Sequence, residues 1–343
     1  MNLDVVLPLS SSLLSFVFFV LLVDQWRVRR RSYQAVWAVG MLWYGLSAGT
    51  EFLGGAFGWS EGLYRAWYLI GAVYVAAWLG LGTALLLGRT RFGYAFALSL
   101  FAAGLFTYLT QSRYNYAGSS SAPVIYFAIA LILAIVVTVL TYRQSHTWAA
   151  VTGWVLVAGS VAAAVMVATV ALPTPGYILD SKGIPVGDLF PGYIRLLTPF
   201  FNITGGITLV LGAVFSAYVF MPKRRVINYS LDRNQPLPRF LGQLLASPIA
   251  FMVNLVASTP GAISALVRGR LHSRVPSTLL LAVGGFIPSV TSALNRFGST
   301  GVFFLGELLG VVFLFLGFLV SIEVFREFRV PFTSRVLWAR RAE

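Results

Sequence analysis

Six residues able to bind, carry charge or hydrogen-bond stand inside long apolar runs of this 343-residue chain: Glu51, Arg65, Arg195, Thr198, Asn202 and Glu307. An ionisable group at membrane depth costs a few kcal/mol even on the lenient scales, so its presence calls for a function or a partner. The residue types point to distinct chemistry. Arg65 and Arg195 can hold an anionic group, Glu51 and Glu307 can carry a proton or a cation, and Thr198 and Asn202 can orient a ligand. Thr198 and Asn202 follow Arg195 at successive helical turns. Five of the six also have a plainer reading. Glu51 can pair with Arg65 across a tight turn, and Arg195 can snorkel to headgroups. Asn202 can bond a neighbouring helix, and Glu307 can pair with Arg65 or Arg195.

The run "LTPFFNITGG", 197–206, adds backbone irregularity beside these groups. Pro199 lacks the N–H that a helix interior needs, and Gly205 and Gly206 each lower helix propensity by about 1 kcal/mol. A kink or short unwinding is expected there. A second interruption, "GGFIPSVTS" at 284–292, brings Gly284, Gly285 and Pro288 together. Broken backbone at membrane depth must be buried in protein or line a wet cavity, and transporters bind substrates at such breaks. The Asn202–Thr204 match to a glycosylation acceptor is read as accidental, because it lies within an apolar run.

Much other chemistry is excluded by composition. The chain has no cysteine, two histidines (His146 and His272) and two lysines (Lys182 and Lys223). Thiolate catalysis, iron–sulfur clusters and c-type haem are absent, and a nitrogen–sulfur zinc site lacks donors. A retinal Schiff base needs a lysine in the seventh span, and that span has none. No Walker loop, Gly-x-Gly-x-x-Gly or Gly-x-Ser-x-Gly motif occurs. No cofactor is expected, and an enzyme is the less favoured class.

The elements that position the six residues follow from apolar blocks about twenty residues long, the length that crosses a hydrocarbon core. With 58% hydrophobic and only 10% charged residues, against about 25% charged in soluble domains, the chain reads as an all-α polytopic membrane protein. Nine spans are predicted near 5–23, 33–54, 63–88, 92–111, 123–142, 148–172, 193–221, 278–295 and 300–326. Residues 1–221 form a seven-span bundle and 278–326 a two-span hairpin. Between them, 222–277 is a basic segment with helices lying in the membrane interface or re-entering. Residues 327–343 form a basic tail. For the helix after the linker, Phe240, Leu244, Pro248, Phe251, Met252 and Leu255 are assigned to one face, and Gln243, Ser247 and Asn254 to the other.

Charge fixes the expected orientation. With the N-terminus extracytoplasmic, the cytoplasmic segments hold 20 of the 25 basic residues and 5 of the 11 acidic ones, as the positive-inside rule requires. The net charge of +14 is thus a topology signal that also meets anionic lipid headgroups, and nucleic acid is not an expected partner. Small-residue seams, such as Gly306 and Gly310, suit helix packing within the chain, a homo-oligomer or another membrane partner.

Three functions fit these features. The leading one is a small-molecule or ion transporter with an outward-facing polar pocket between the second, third, seventh and ninth spans. The others are a seven-span receptor for an outer or apolar ligand and a non-catalytic subunit of a membrane assembly.

Overall fold

The computed structural model describes residues 3–110, 121–143, 146–232, 234–296, 302–320, 327–329, 331–333 and 336–339. The ends of the ninth predicted span, at 300–301 and 321–326, and tail residues 330, 334–335 and 340–343 lie outside them. The described residues form ten helical rods. These are α1 (Leu3–Arg29), α2 (Ser32–Phe57), α3 (Glu61–Leu86), α4 (Gly93–Leu109), α5 (Ala122–Tyr142), α6 (Thr147–Thr169), α7 (Gly192–Phe220), α8 (Leu237–Val267), α9 (Arg274–Arg296) and α10 (Phe303–Val320). A two-stranded antiparallel ribbon joins Glu327–Arg329 to Val336–Ala339. Eight of the rods are long and apolar enough to cross a membrane; α2 and the shorter α4 are the two outside that set. The chain is a polytopic helical membrane protein.

Neighbouring rods are set by close pairs of side chains. Phe16 packs on Gly45 between antiparallel α1 and α2, and Leu79 packs on Gly40 between antiparallel α2 and α3. Helices α3 and α7 run parallel, with Tyr68 beside Thr198 and Thr83 beside Gly212. Helix α9 is antiparallel to α7, since Ser289 meets Gly206 and Leu209 meets Gly285. Helix α10 returns antiparallel to α9 and parallel to α1: Phe303 and Phe304 cluster with Leu7, while Phe318 meets Phe18 edge to face with ring centroids 4.7 Å apart. The last two rods are thus built into the bundle. Below, "upper" denotes the end at which α1, α3, α5, α7 and α10 begin.

Helix α8 does not run along its neighbours. Its 31 residues extend about 46 Å at 1.5 Å per residue. Phe240, near its start, touches Tyr94 at the foot of α4 and Tyr142 at the foot of α5. Phe251, at its middle, touches Phe215 and Tyr218 at the foot of α7. Ala262, near its end, clusters with Met221 and Val275. Beginning, middle and end all meet the lower ends of other helices, so α8 lies across the lower face.

Gln243, Ser247 and Asn254 do not stand on a face opposite Phe240, Leu244, Phe251 and Leu255, the arrangement that the sequence pattern suggested. The Asn254 Oδ1 accepts from the N–H groups of Val226 (2.7 Å) and Ile227 (2.9 Å), and its Nδ2 donates to the Ile227 carbonyl at 2.8 Å. Ser258 accepts from Arg224 N–H, and Gln243 from Ser230 N–H. The extended linker therefore runs antiparallel along α8, and its unpaired backbone recruits the polar side chains inward. This leaves Leu241, Leu245, Ile249, Met252, Val256 and Ile263 exposed on the other side. Phe240, Leu244, Phe251 and Leu255 share the inner side with the polar residues.

Candidate functional site

The expected unwinding at Pro199–Gly206 is displaced. The chain turns at Leu196, between a short helical turn, Gly192–Arg195, and a continuous helix, Leu197–Phe220. Pro199 falls in the first turn of that second segment, where a missing N–H costs little. Gly205 and Gly206 stay helical. Gly205 lies against the backbone of α3, where a Cβ would collide with the Ala76 carbonyl, and Gly80 faces the Gly205 carbonyl in the same way. These glycines permit a close helix crossing instead of a break. Helix α9 is likewise continuous through Gly284, Gly285 and Pro288. Pro288 has no N–H to offer the Gly284 carbonyl one turn back.

The backbone irregularity lies in α3, where Tyr68–Tyr74 is π-helical and Val75 N–H bonds to the Ile70 carbonyl. Such single wide turns recur at functional sites. Nothing in "YLIGAVY" announces it, because glycine and β-branched residues there read equally as a packing seam. The wide turn brings Gly71 so close to Ser47 on α2 that a Cβ would stand 2.5 Å from the serine Oγ.

Around this turn, α2, α3, α7, α9 and α10 enclose a cavity of ≈70 Å³. A water needs roughly 10–15 Å³ by this kind of measure, so the space suits a few waters or a hydrated ion. Its polar lining comes from Tyr44, Ser47, Asn202, Ser289, Ser292 and Glu307. Gly206, Gly284, Gly285 and Pro288 line it too. The Asn202 side chain is half-buried at this wall. Tyr44 and the three serines escaped sequence reasoning because single hydroxyls in apolar helices carry no pattern.

Glu51 and Glu307 meet at this site. Glu307 borders the cavity, which accounts for its remaining exposure, and Glu51 is buried behind it at 2% exposure. The two buried carboxyl groups lie close enough to influence one another electrostatically. Glu51 Oε1 accepts from Trp67 Nε1 at 2.9 Å, and Tyr44 Oη donates to the Glu307 backbone carbonyl at 2.7 Å. The Oε2 of each glutamate has no hydrogen-bond partner among the described residues. Ionised carboxylates only accept hydrogen bonds, so any bond between the two requires one shared proton.

The arginines stand elsewhere. Arg65 pairs with Glu61, not Glu51, at 2.6 Å. It also donates to the carbonyls of Val167 and of Val170, the latter at 2.6 Å, and so caps the C-terminus of α6. Arg195 pairs with Asp188 at 2.6 Å. Both guanidinium groups are occupied on the upper rim, and neither lines the cavity. Thr198 bonds Tyr68 Oη at 2.9 Å, one turn above the Asn202 and Gly71 that line the wall. Phe190, from the connection between α6 and α7, packs on Tyr68 at 4.1 Å. Tyr68, Thr198 and Phe190 thus pack together about one turn above part of the cavity wall.

The structure therefore gathers Glu51, Asn202 and Glu307 with the two glycine-rich segments. It leaves Thr198 above that wall, and Arg65 and Arg195 at the rim. The chain matches no protein-family model, no curated protein and no solved structure, so the site's geometry alone carries the functional reading.

Proposed function

We propose that this protein moves a small cation, with the proton as the favoured species, across a membrane, using Glu51 and Glu307 as the carrier pair. The observation that carries the reading is a pair of neighbouring buried carboxyl groups, Glu307 lining a polar cavity and Glu51 behind it, with the Oε2 of each lacking a hydrogen-bond partner among the described residues. A buried acidic pair with no cationic side chain in its cavity lacks a compensating positive charge, and a bound cation would supply it. Asn202, Ser47, Ser289 and Ser292 add oxygen atoms of the kind a proton-bearing water or a desolvated cation would use. The anionic-substrate variant drops out, because the two arginines it needed are engaged with Glu61 and Asp188.

The topology belongs to the same proposal. Helices α1–α7, α9 and α10 cross the bilayer, and α8 lies in the lower interface. The parallel packing of α1 and α10 supports this count, since a tenth crossing by α8 would make those two helices antiparallel. Arginine distribution then makes the lower face cytoplasmic, with the N-terminus on the opposite side and the carboxyl pair in the extracytoplasmic half.

Proteoliposomes loaded with a pH-sensitive dye test the function. A potassium gradient with valinomycin drives proton entry, and flux is compared with protein-free vesicles. Wild-type protein is expected to conduct above that background, while Glu307→Gln and Glu51→Gln fall to it. A sodium gradient imposed at zero potential separates proton from sodium as the cation. Wild-type flux equal to that of empty vesicles under both gradients would remove the reading.

A further inference from the structure

A second cavity, of ≈40 Å³, lies directly below the first. Its lining takes over where the upper one stops, helix by helix. On α2 the walls pass from Tyr44 to Met41 and Trp37, and on α7 from Asn202 and Gly206 to Ala213 and Ser216. On α9 they pass from Pro288 and Gly284 to Leu281 and Thr278, and on α10 from Glu307 to Phe318. Residues shared by both cavities therefore mark the boundary, and they are three leucines: Leu79, Leu209 and Leu314. They come from three different helices, are 5%, 7% and 3% exposed, and fall in one hydrophobic cluster. Trp37 fixes the level of the first by donating to the Leu79 carbonyl at 3.2 Å.

We infer that Leu79, Leu209 and Leu314 form the closed gate of a cation path that runs through both cavities. This rests on the cation-transport reading. A constriction formed by leucine side chains stays dry, and a dry apolar constriction blocks ions by refusing them a hydration shell. Above the gate are the carboxyl pair and the hydroxyl-lined cavity. Below it, the walls regain hydroxyls at Thr83, Ser216 and Thr278. One turn further down, Gln25 follows Leu22 on α1, and Gln34 precedes Trp37 on α2. Both glutamines are buried. Both side-chain polar atoms of Gln25, and the Gln34 oxygen, have no hydrogen-bond partner among the described residues. Buried amides in that state are rare and call for an explanation. Polar groups thus wait on either side of a short apolar barrier, and passage requires only that the three leucines part and let water through.

The gate is tested in the same vesicles with Leu209→Ser and Leu314→Ser, each checked for monodispersity before reconstitution. Either serine is expected to raise proton flux at least 10-fold over wild type, with no leak of a larger entrapped dye. Leu209→Phe, which adds bulk at the boundary, is expected to lower the flux. Well-folded serine variants with wild-type flux would overturn the gate and leave the carboxyl pair untouched. So would dye leakage equal to the proton leak. If both serine variants fail to fold, Leu209→Phe decides: unchanged flux overturns the proposal, and a fall sustains it. The carrier reading fails separately, when serine variants conduct but Glu307→Gln conducts as well as wild type.

Discussion

Alanine at Gly205 places a methyl group where α7 touches the backbone of α3. The nearest atoms are the Ala76 carbonyl and the Ala77 amide nitrogen, and on the reciprocal side a Cβ on Gly80 would stand 2.5 Å from the Gly205 oxygen. No side chain can rotate away from this clash, because both partners are main chain. Overpacking costs about 1–3 kcal/mol, and the rigid neighbours place Gly205→Ala near about 3. Helix propensity returns about 1 kcal/mol, leaving a net loss of about 2 kcal/mol, or roughly 30-fold in the folding constant. Reversible unfolding in detergent or bicelles, followed by tryptophan fluorescence, measures this. Gly242→Ala on α8 is the matched control, since no atom lies within 4 Å of its added Cβ; it is expected to unfold like wild type or slightly later. A Gly205→Ala protein as stable as that control would refute the close crossing, and with it the wall that carries Asn202 and Gly206.

Two other outcomes follow from side chains outside the cavity. Asn254→Ala removes three hydrogen bonds to the linker; at about 1 kcal/mol each, hydrogen exchange at Val226 and Ile227 should quicken about 10-fold or more, while amides within α7 keep their protection. Arg65→Met removes the cap on α6. Glu61 is half-exposed, at 49% of its side chain, so the ion pair itself contributes little and the loss of about 1–2 kcal/mol comes from the Val167 and Val170 carbonyls. Thermal stability should fall accordingly, with proton flux per folded protein unchanged.

The rods were legible in the sequence because the bilayer imposes a length on apolar runs, and nearly all of the predicted positions fall on observed helices. Leu237–Val267 tests that logic at its limit. Its composition satisfies a span, yet Phe240, Phe251 and Ala262 all meet the lower ends of other helices. Arginine placement, which does not depend on hydropathy, pointed the same way. Its facing was not legible, because Asn254 and Ser258 answer to a linker backbone whose path no local pattern encodes. Glycines misled in a related way. Gly205 and Gly206 disfavour a helix in isolation, but Gly205 against Ala76 and Ala77 is what lets two helices touch, and Gly206 faces Ser289 on a third. Glu51 and Glu307 were legible one at a time, as ionisable groups in apolar runs. Their meeting was not, since they are far apart in the chain and acidic residues are not natural partners until a proton joins them.

The most direct test of the account is infrared spectroscopy of protein carrying carbon-13-labelled glutamate, reconstituted in lipid at neutral pH. A hydrogen-bonded, protonated glutamic acid in the wild-type spectrum, lost or shifted in both Glu51→Gln and Glu307→Gln, is the predicted result. A spectrum in which every glutamate absorbs as a free carboxylate, unchanged by either substitution except in amplitude, would contradict it.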